Sequence, residues 1–193
     1  AAAVIREAGV AVEVLDFGGG SPAAYPDVTP PPLGDFMAAI RGAVAEHGLG
    51  HMRLWAEPGR ALVAGGASLV VQVQARRGDA LFINDGVYGA LSDAGAPGFR
   101  FPVRLIRAGA AVPEELIPFS FFGPTCDSAD QMAGPFHLPA DTREGDWIEV
   151  GQLGAYGACL RTAFNGFDRA VVAEVADLPL LHTPGYAALP RAA

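Results

Sequence analysis

The first sixty residues alternate between helical and strand-like spacing of apolar positions. Ala2–Gly9 has the composition of a helix end, and Val12–Asp16 is a short apolar run that stops at a glycine-rich loop. Asp35–His47 then places apolar residues at helical intervals, and Met52–Ala56 predicts a second strand. Two strands that each lead into polar or glycine residues are typical of the active-site face of a (β/α) barrel.

The predicted face of the Asp35–His47 helix consists of Phe36, Ile40, Ala43 and Val44. From about Gly65 onward the apolar spacing changes to a period of two, interrupted by turns rich in Gly, Pro and Asp. The predicted strands lie in 68–77, 80–85, 101–108, 116–124 and 146–150. The pattern predicts two domains: residues 1–64, the last part of an α/β barrel, and residues 65–193, an all-β domain.

Composition narrows the function classes. The formal net charge is -8, which disfavours binding to nucleic acid. Cys126 and Cys159 are too few for a disulfide framework and lack the spacing of a zinc site, so a cytoplasmic protein without a metal is expected. The opening 14 residues contain charges and no long apolar run, which indicates neither a signal peptide nor a membrane span.

Two motifs follow the predicted barrel strands. Gly18, Gly19 and Gly20 leave backbone N–H groups uncovered, as a phosphate site needs, although a tight turn would require the same residues. The sequence Glu57-Pro58-Gly59-Arg60 offers a carboxylate and a guanidinium after the second strand. Arginine binds phosphate through two parallel hydrogen bonds, but a surface ion pair at a turn is an equally good interpretation.

Three further motifs lie in the β region. Asn84–Gly89 (NDGVYG) resembles a hairpin turn, and Phe122–Asp130 (FGPTCDSAD) predicts an exposed loop in which Cys126 can exchange a proton. In Gln152–Gly157 (QLGAYG) a tyrosine stands among small residues, where packing is the more common role. Cys159, in an apolar stretch, is predicted to be a core residue.

Taken in order, these motifs and the later Phe164-Asn165-Gly166-Phe167 resemble the ornithine/diaminopimelate/arginine decarboxylases, a family of pyridoxal-phosphate (PLP) enzymes of fold type III. The resemblance covers nearly the whole chain. It implies the last strands of an alanine-racemase-like (β/α)8 barrel followed by a β-sandwich or Greek-key-like C-terminal domain. The implied cofactor is pyridoxal 5'-phosphate.

The resemblance also assigns roles to individual positions. Cofactor-binding positions of the family match Gly18, Gly19, Gly20, Glu57, Gly59, Arg60 and Tyr156. Glu57 matches the carboxylate that pairs with the pyridine nitrogen of the cofactor. Cys126 matches the residue that returns a proton to the substrate carbon after carbon dioxide leaves. These two residues are the implied catalytic residues. Asp127 and Tyr88 match substrate-binding positions.

The Cys126-Asp127 pair favours an ornithine or lysine decarboxylase, because diaminopimelate decarboxylases usually have Cys-Glu there. One departure is Pro97, which stands where animal ornithine decarboxylases have another substrate-binding aspartate; Asp93 is a candidate substitute. Another is Gly157, where those enzymes have threonine. The implied reaction yields a diamine such as putrescine in polyamine biosynthesis. The alternatives are a diaminopimelate decarboxylase and a non-catalytic regulatory homologue that binds a partner.

All 13 basic residues are arginines, so the chain has no lysine. The family uses a Schiff-base lysine in the first half of its barrel, and a (β/α)8 barrel takes about 250 residues. We therefore expect an N-terminal half as a missing or separate segment. The resemblance also implies a homodimer with shared active sites, and an amino acid as the substrate.

Overall fold

The computed structural model describes residues 1–109 and 115–186. Contacts between Cα atoms divide the chain into two compact units. The first comprises Ala1–Ala23 and Pro30–Leu62, and the second comprises Ala24–Thr29 and the chain from Val63 onward. The division at residues 64 and 65 into functional domains stays a prediction. No helix in the described part of the chain is long and apolar enough to cross a membrane.

The first unit is a strand–helix–strand arrangement, as the alternating pattern predicts. Its elements are α1 (Ala2–Ala8), β1 (Val14–Asp16), α2 (Leu33–Glu46) and β2 (Arg53–Trp55), and α3 (Gly59–Val63) begins at its end. β1 and β2 are parallel, with Val14 opposite Arg53 and Asp16 opposite Trp55. Because parallel strands end at the same edge, the loops after Asp16 and Trp55 lie side by side.

The predicted apolar face of α2 is confirmed for three of its four residues. Phe36, Ile40 and Val44 are half-buried within the unit, whereas Ala43 is exposed. A helix with an apolar stripe covers one face of a sheet, and positions outside the stripe remain in water. Ala43 lies outside that stripe.

The second unit contains a six-stranded mixed sheet. Its strands are β3 (Leu69–Arg77), β4 (Ala80–Ile83), β5 (Val103–Ile106), β6 (Leu116–Phe122), β7 (Gln131–Pro139) and β8 (Trp147–Val150), in the order β5-β8-β3-β4-β6-β7. The pair β4 and β6 is parallel, and the other neighbours are antiparallel. The predicted all-β character is therefore confirmed. Hydrogen bonding joins the six strands into one sheet, whose edge strands β5 and β7 contact each other, and the sandwich or Greek-key arrangement stays a prediction.

The period-two spacing accounts for the core of this unit. On β3, Val71 and Val73 are buried. The alternate residues Gln72 and Gln74 are half-buried and exposed, respectively. Successive side chains of a strand point to opposite faces, so one set of alternating residues fills the core. The largest fully buried side chains include Phe119, Phe121, Phe136, Leu81, Ile83, Leu91, Met132, Leu138 and Ile148.

Strand β7 is absent from the sequence-based interpretation because it contains Gly134-Pro135, a pair that normally indicates a turn. The strand accommodates the pair by an irregularity: the register with β6 shifts between Phe119 and Phe121. Gly134 has a φ of 69°, and a Cβ there would lie 2.7 Å from the carbonyl oxygen of Phe119. Only glycine allows this close approach of two backbones.

Candidate active site

The loop after β1 depends on its glycines. The N–H of Gly18 donates to the Asp16 carboxylate at 2.8 Å, and the N–H of Glu57 donates to the carbonyl oxygen of Gly18 at 2.9 Å. A Cβ on Gly19 would lie 2.8 Å from the carbonyl oxygen of Glu57, so an alanine there would displace one of the loops. The structure thus brings the predicted glycine run against the predicted Glu57-Arg60 segment.

The same loop leaves room for a ligand on its other side. Gly18 and Gly20 have positive φ angles of 76° and 79°, and a Cβ on either would meet nothing within 4 Å. A phosphate group can approach backbone N–H groups closely only where no side chain covers them. The open backbone at Gly18 and Gly20 therefore leaves the space that the phosphate of PLP would need.

The segment after β2 supplies the charged groups. Glu57 is exposed, its carbonyl oxygen accepts the N–H of Gly59 at 2.9 Å, and Arg60 is half-buried at the beginning of α3. The carboxylate, the guanidinium and the glycine loop all belong to the edge at which β1 and β2 end. A guanidinium on the same strand edge as an open glycine loop can bind an anion, and an exposed carboxylate there can meet a protonated ring nitrogen.

A cavity of about 600 Å³ in the first unit lies at the opposite ends of the strands. It is bordered by α1, by Val12 and Glu13 before β1, and by His51 and Met52 before β2. In parallel α/β sheets ligands bind beyond the carboxyl ends of the strands. The cavity is therefore not the candidate site.

In the second unit, Tyr88 and Asp127 form a direct pair. The Tyr88 hydroxyl donates to Oδ2 of Asp127, and the N–H of Ala129 donates to Oδ1 at 2.9 Å. The Ala129 amide and then the Tyr88 hydroxyl lower the pKa of the Asp127 carboxyl below its usual range. The pKa of Tyr88 is raised, chiefly by the same hydrogen bond. At neutral pH, Asp127 is therefore an anion and Tyr88 keeps its proton.

The Phe164–Phe167 motif lies beside this pair. The Phe164 ring centroid is 4.5 Å from that of Tyr88, and the N–H of Thr162 donates to the carbonyl oxygen of Tyr88 at 2.8 Å. Cys126 is exposed, and its Sγ lies 3.5 Å from Oδ1 of Asn165. An exposed thiol, an anion and two aromatic rings are thus brought together by three loops.

Two buried aspartates that the sequence-based interpretation gave no role hold these loops. Asp85 is 7% exposed and Asp130 is 3% exposed. Asp85 accepts hydrogen bonds from the N–H groups of Gly86 and Ala90, each at 2.8 Å, and lies 2.5 Å from Arg161. The sequence contains one sign of this role: Asp85 directly precedes Gly86 after a predicted strand. Aspartates in such turns often accept hydrogen bonds from nearby backbone N–H groups.

The NDGVYG segment is not a hairpin turn, contrary to the prediction. The strand that follows it, β5, pairs with β8, whereas β4 before it pairs with β3 and β6. The buried Asp85 bonds to the backbone within the segment itself, which stabilises a compact loop without a partner strand.

The remaining predicted residues lie in separate turns of the second unit. Asp93 is in a 3-10 turn, Ser92–Ala94, and the Oγ of Ser92 lies 3.5 Å from the carbonyl oxygen of Tyr156. Tyr156 is 44% exposed and has a φ of 57°. Cys159 is exposed, so its prediction as a core residue is wrong: it lies in a 3-10 turn rather than in a strand with a buried face.

Comparisons with known proteins match two family models in succession along the chain. Residues 1–64 match the family model described as pyridoxal-dependent decarboxylase, pyridoxal binding domain. Residues 65–154 match the model described as pyridoxal-dependent decarboxylase, C-terminal sheet domain. Together the two matches cover the candidate residues from Gly18 to Asp127.

Individual relatives differ in substrate. The chain is 34% identical over 182 residues to a diaminopimelate decarboxylase of Actinosynnema pretiosum, covering 90% of this chain and 41% of that protein. It is 34% identical over 140 residues to an ornithine decarboxylase of Schizosaccharomyces pombe, covering 66% of this chain and 32% of that protein. A crystal structure of lysine/ornithine decarboxylase complexed with putrescine from Vibrio vulnificus superposes with a TM-score of 0.67 at 34% identity.

That superposition covers 87% of this chain and 45% of the Vibrio chain. The chain thus spans less than half the length of each of these relatives.

Proposed function

Because the chain belongs to the family of pyridoxal-dependent decarboxylases, we propose that it forms the C-terminal part of an enzyme that decarboxylates a basic L-amino acid, ornithine or lysine, to a diamine. The observation that carries the substrate assignment is the ionised Asp127, held by Tyr88 and presented next to Cys126. The proposal includes a companion segment that supplies the family's lysine, since this chain has none.

The first unit would hold the cofactor. When bound, PLP supplies an electron sink for the electron pair that remains as carbon dioxide departs. The backbone around Gly18–Gly20 and the Arg60 guanidinium would bind its phosphate, with Gly59 allowing the close approach. Glu57 would keep the ring nitrogen protonated, because an adjacent anion favours the cationic form. Tyr156 is proposed as a further phosphate ligand because it matches a cofactor-binding position of the family.

In the second unit, Cys126 would hold the proton that the product carbon receives. Its thiol is exposed and can donate a proton to a group placed beside it. Asn165 accepts from the thiol at 3.5 Å and so orients the sulfur. A thiol is suited to this role because it gives up its proton more readily than a hydroxyl does.

Asp127 would bind the distal ammonium of the substrate. An ammonium that leaves water loses strong hydration, and an ionised, hydrogen-bonded carboxylate compensates for that loss. The Tyr88 hydroxyl and the Ala129 N–H fix both oxygens of Asp127, so that the anion is oriented before substrate arrives. Asp93 is proposed to lie on the substrate side as well.

The main alternative is a diaminopimelate decarboxylase, in view of the Actinosynnema relative. Diaminopimelate decarboxylases usually have Glu after the cysteine, so a negative charge at this position fits both substrates. What supports ornithine or lysine is that the residue is Asp127, as in the ornithine and lysine decarboxylases that the motif resembles. A non-catalytic homologue has no need of the thiol, the anion and the glycine loop together.

The decisive experiment uses the complete enzyme, meaning this chain with the segment that contains the lysine. Release of carbon dioxide and formation of diamine are measured with ornithine, lysine, diaminopimelate and norvaline, which has the chain length of ornithine without the amine. Asp127→Asn should lower kcat/KM for ornithine by about 30-fold or more, from loss of a charge-paired contact. Norvaline turnover should change much less.

Asp177→Asn is the matched control, because Asp177 is an exposed aspartate in the same unit. It should leave all four rates unchanged. A PLP absorbance band with turnover of diaminopimelate but not of ornithine would establish the alternative substrate. A protein that binds PLP and turns over none of the four would contradict the enzymatic proposal.

We also propose that the complete enzyme is a homodimer whose sites are shared between protomers. Mixing a Cys126→Ala protein with one that lacks the lysine should restore up to about a quarter of the sites by random pairing. Absence of any recovery after demonstrated subunit exchange would contradict shared sites.

A further inference from the structure

Asp130 has a buried carboxylate that the roles above do not use. It is 3% exposed, and it ends the loop that carries Cys126 and Asp127. Its Oδ1 accepts the N–H of Val87 at 2.8 Å. Its Oδ2 accepts the N–H and the hydroxyl of Thr125, at 3.1 Å and 2.7 Å.

The carboxylate occupies the space of two absent side chains. A Cβ on Gly86 would lie 2.0 Å from Oδ1 of Asp130, and a Cβ on Gly123 would lie 2.1 Å from the same atom. Real Cβ atoms do not approach other atoms this closely. Neither glycine has a positive φ angle, so the carboxylate, and not backbone conformation, accounts for both residues.

The donors to Asp130 directly precede the proposed reacting groups. Val87 precedes Tyr88, and Thr125 precedes Cys126. The backbone N–H of Asp130 also donates to the carbonyl oxygen of Asp127 at 3.0 Å. One carboxylate therefore fixes the backbone of two loops within one residue of Tyr88 on one side and of Cys126 on the other.

We propose that Asp130 is a positioning residue that sets the distance between the Tyr88 loop and the Cys126-Asp127 loop, and thereby maintains the Tyr88–Asp127 hydrogen bond. This inference rests on the proposed function of that pair. The chemistry calls for a carboxylate: it accepts all three hydrogen bonds, whereas an amide always turns an NH2 group toward at least one donor. Asn in place of Asp would therefore separate the loops without changing the size of the side chain.

The test compares Asp130→Asn, Asp127→Asn and the double variant in the complete enzyme. Asp130→Asn should lower kcat/KM for ornithine by about tenfold to a hundredfold, the effect of a small misplacement in a site. If Asp130 acts through Asp127, adding Asp130→Asn to Asp127→Asn should cost less than about threefold more. Equal losses in both backgrounds would show a general structural role and overturn the inference.

Asp146→Asn is the matched control. Asp146 is also a buried carboxylate of this unit, 8% exposed, and it pairs with Arg107. Its replacement should lower stability while its effect on kcat/KM stays independent of Asp127. Should Asp130→Asn fail to fold, Thr125→Val removes a single donor and should show the same coupling to Asp127 at smaller amplitude. Additive behaviour of Thr125→Val would then overturn the inference.

A second readout does not depend on turnover. The absorbance of Tyr88 ionisation, taken as the difference between a protein and its Tyr88→Phe variant, reports the hydrogen bond to Asp127. Asp130→Asn also removes a negative charge that raises the Tyr88 pKa, so the readout uses Thr125→Val, which keeps that charge: the Tyr88 pKa should fall toward its ordinary value, because its acceptor has moved. If the Tyr88 titration shifts while Asp127→Asn leaves ornithine turnover intact, the positioning stands and the proposed substrate role fails. An unshifted titration overturns the positioning itself.

Discussion

The ion pair between Asp85 and Arg161 is expected to be a major source of stability in the second unit. Its side chains are 8% and 12% exposed, and the charged atoms are 2.5 Å apart. Asp85 also accepts the N–H groups of Gly86 and Ala90 at 2.8 Å. Asp85→Ala would therefore leave a buried guanidinium and two backbone donors without their acceptor.

Removing one partner of a buried ion pair costs about 3–5 kcal/mol, because the other charge is left uncompensated. A typical domain has a free energy of unfolding of about 5–15 kcal/mol, so Asp85→Ala should remove about a fifth of it or more. Denaturant unfolding of the full chain, followed by circular dichroism, measures the change. The control is Asp141→Ala: Asp141 is half-exposed and its partner Arg107 keeps Asp146, so the cost should stay below about 1 kcal/mol.

A double variant separates the ion pair from the other bonds of Asp85. The Nε of Arg161 is buried and has no hydrogen-bond partner among the described residues, so Arg161→Met removes a group that is costly to bury. Asp85→Ala with Arg161→Met should be more stable than the sum of the two single changes predicts, since no unpaired charge remains. Strictly additive losses, or an Asp85→Ala cost no larger than that of Asp141→Ala, would refute this account.

Two further predictions concern the glycine loop and pH. Gly19→Ala should abolish or strongly weaken PLP binding in the complete enzyme, because the new Cβ would lie 2.8 Å from the Glu57 carbonyl oxygen. The absorbance of bound PLP measures this loss. The control is Gly42→Ala, which adds a Cβ in open space inside α2 and should stabilise the chain by about 0.5–1 kcal/mol. Burial lowers the pKa of His137 below the ordinary histidine value of about 6.5. Near that pH the unfolded chain therefore binds more protons than the folded chain does. The free energy of unfolding should fall as the pH drops through about 6.5. Denaturation midpoints between pH 8 and 5 should show this loss, and their dependence on pH should flatten in His137→Gln; an equally steep dependence in that variant would contradict the assignment.

The adjacency of the two first-unit motifs was predictable from sequence, because it follows from local rules. Two apolar runs separated by a helix predict parallel strands, and the carboxyl ends of neighbouring parallel strands meet at one edge. Gly18–Gly20 and Glu57 therefore had to approach each other. The buried positions of β3 and β6 followed from period-two spacing in the same way.

Other features depend on partners that are distant in the sequence. Strand β7 exists because β6 supplies a neighbour that accommodates Gly134-Pro135, and composition alone gives no sign of that neighbour. Cys159 lies in an apolar stretch, yet the backbone turns there instead of continuing as a strand, so it is exposed. Asp130 bonds to Val87, which is 43 residues away, and no local pattern distinguishes it from a solvated loop acid.

The half-buried Tyr88–Asp127 pair and the buried carboxylates around it serve different purposes, and each depends on the other. A hydrogen bond that water can reach holds two loops together only weakly by itself. A substrate ammonium, however, is selected only if the anion is already in place when it arrives, since reorganisation would consume the binding free energy. The contacts that hold Asp127 in place must therefore lie elsewhere in the second unit. Asp85 and Asp130 can supply them, because their bonds to backbone N–H groups are shielded from water. Asp130 bonds to the residues directly before Tyr88 and Cys126, and Asp85 bonds to residues two positions from Tyr88. Substrate choice would then respond to changes at these buried aspartates, although neither carboxylate is exposed to the substrate.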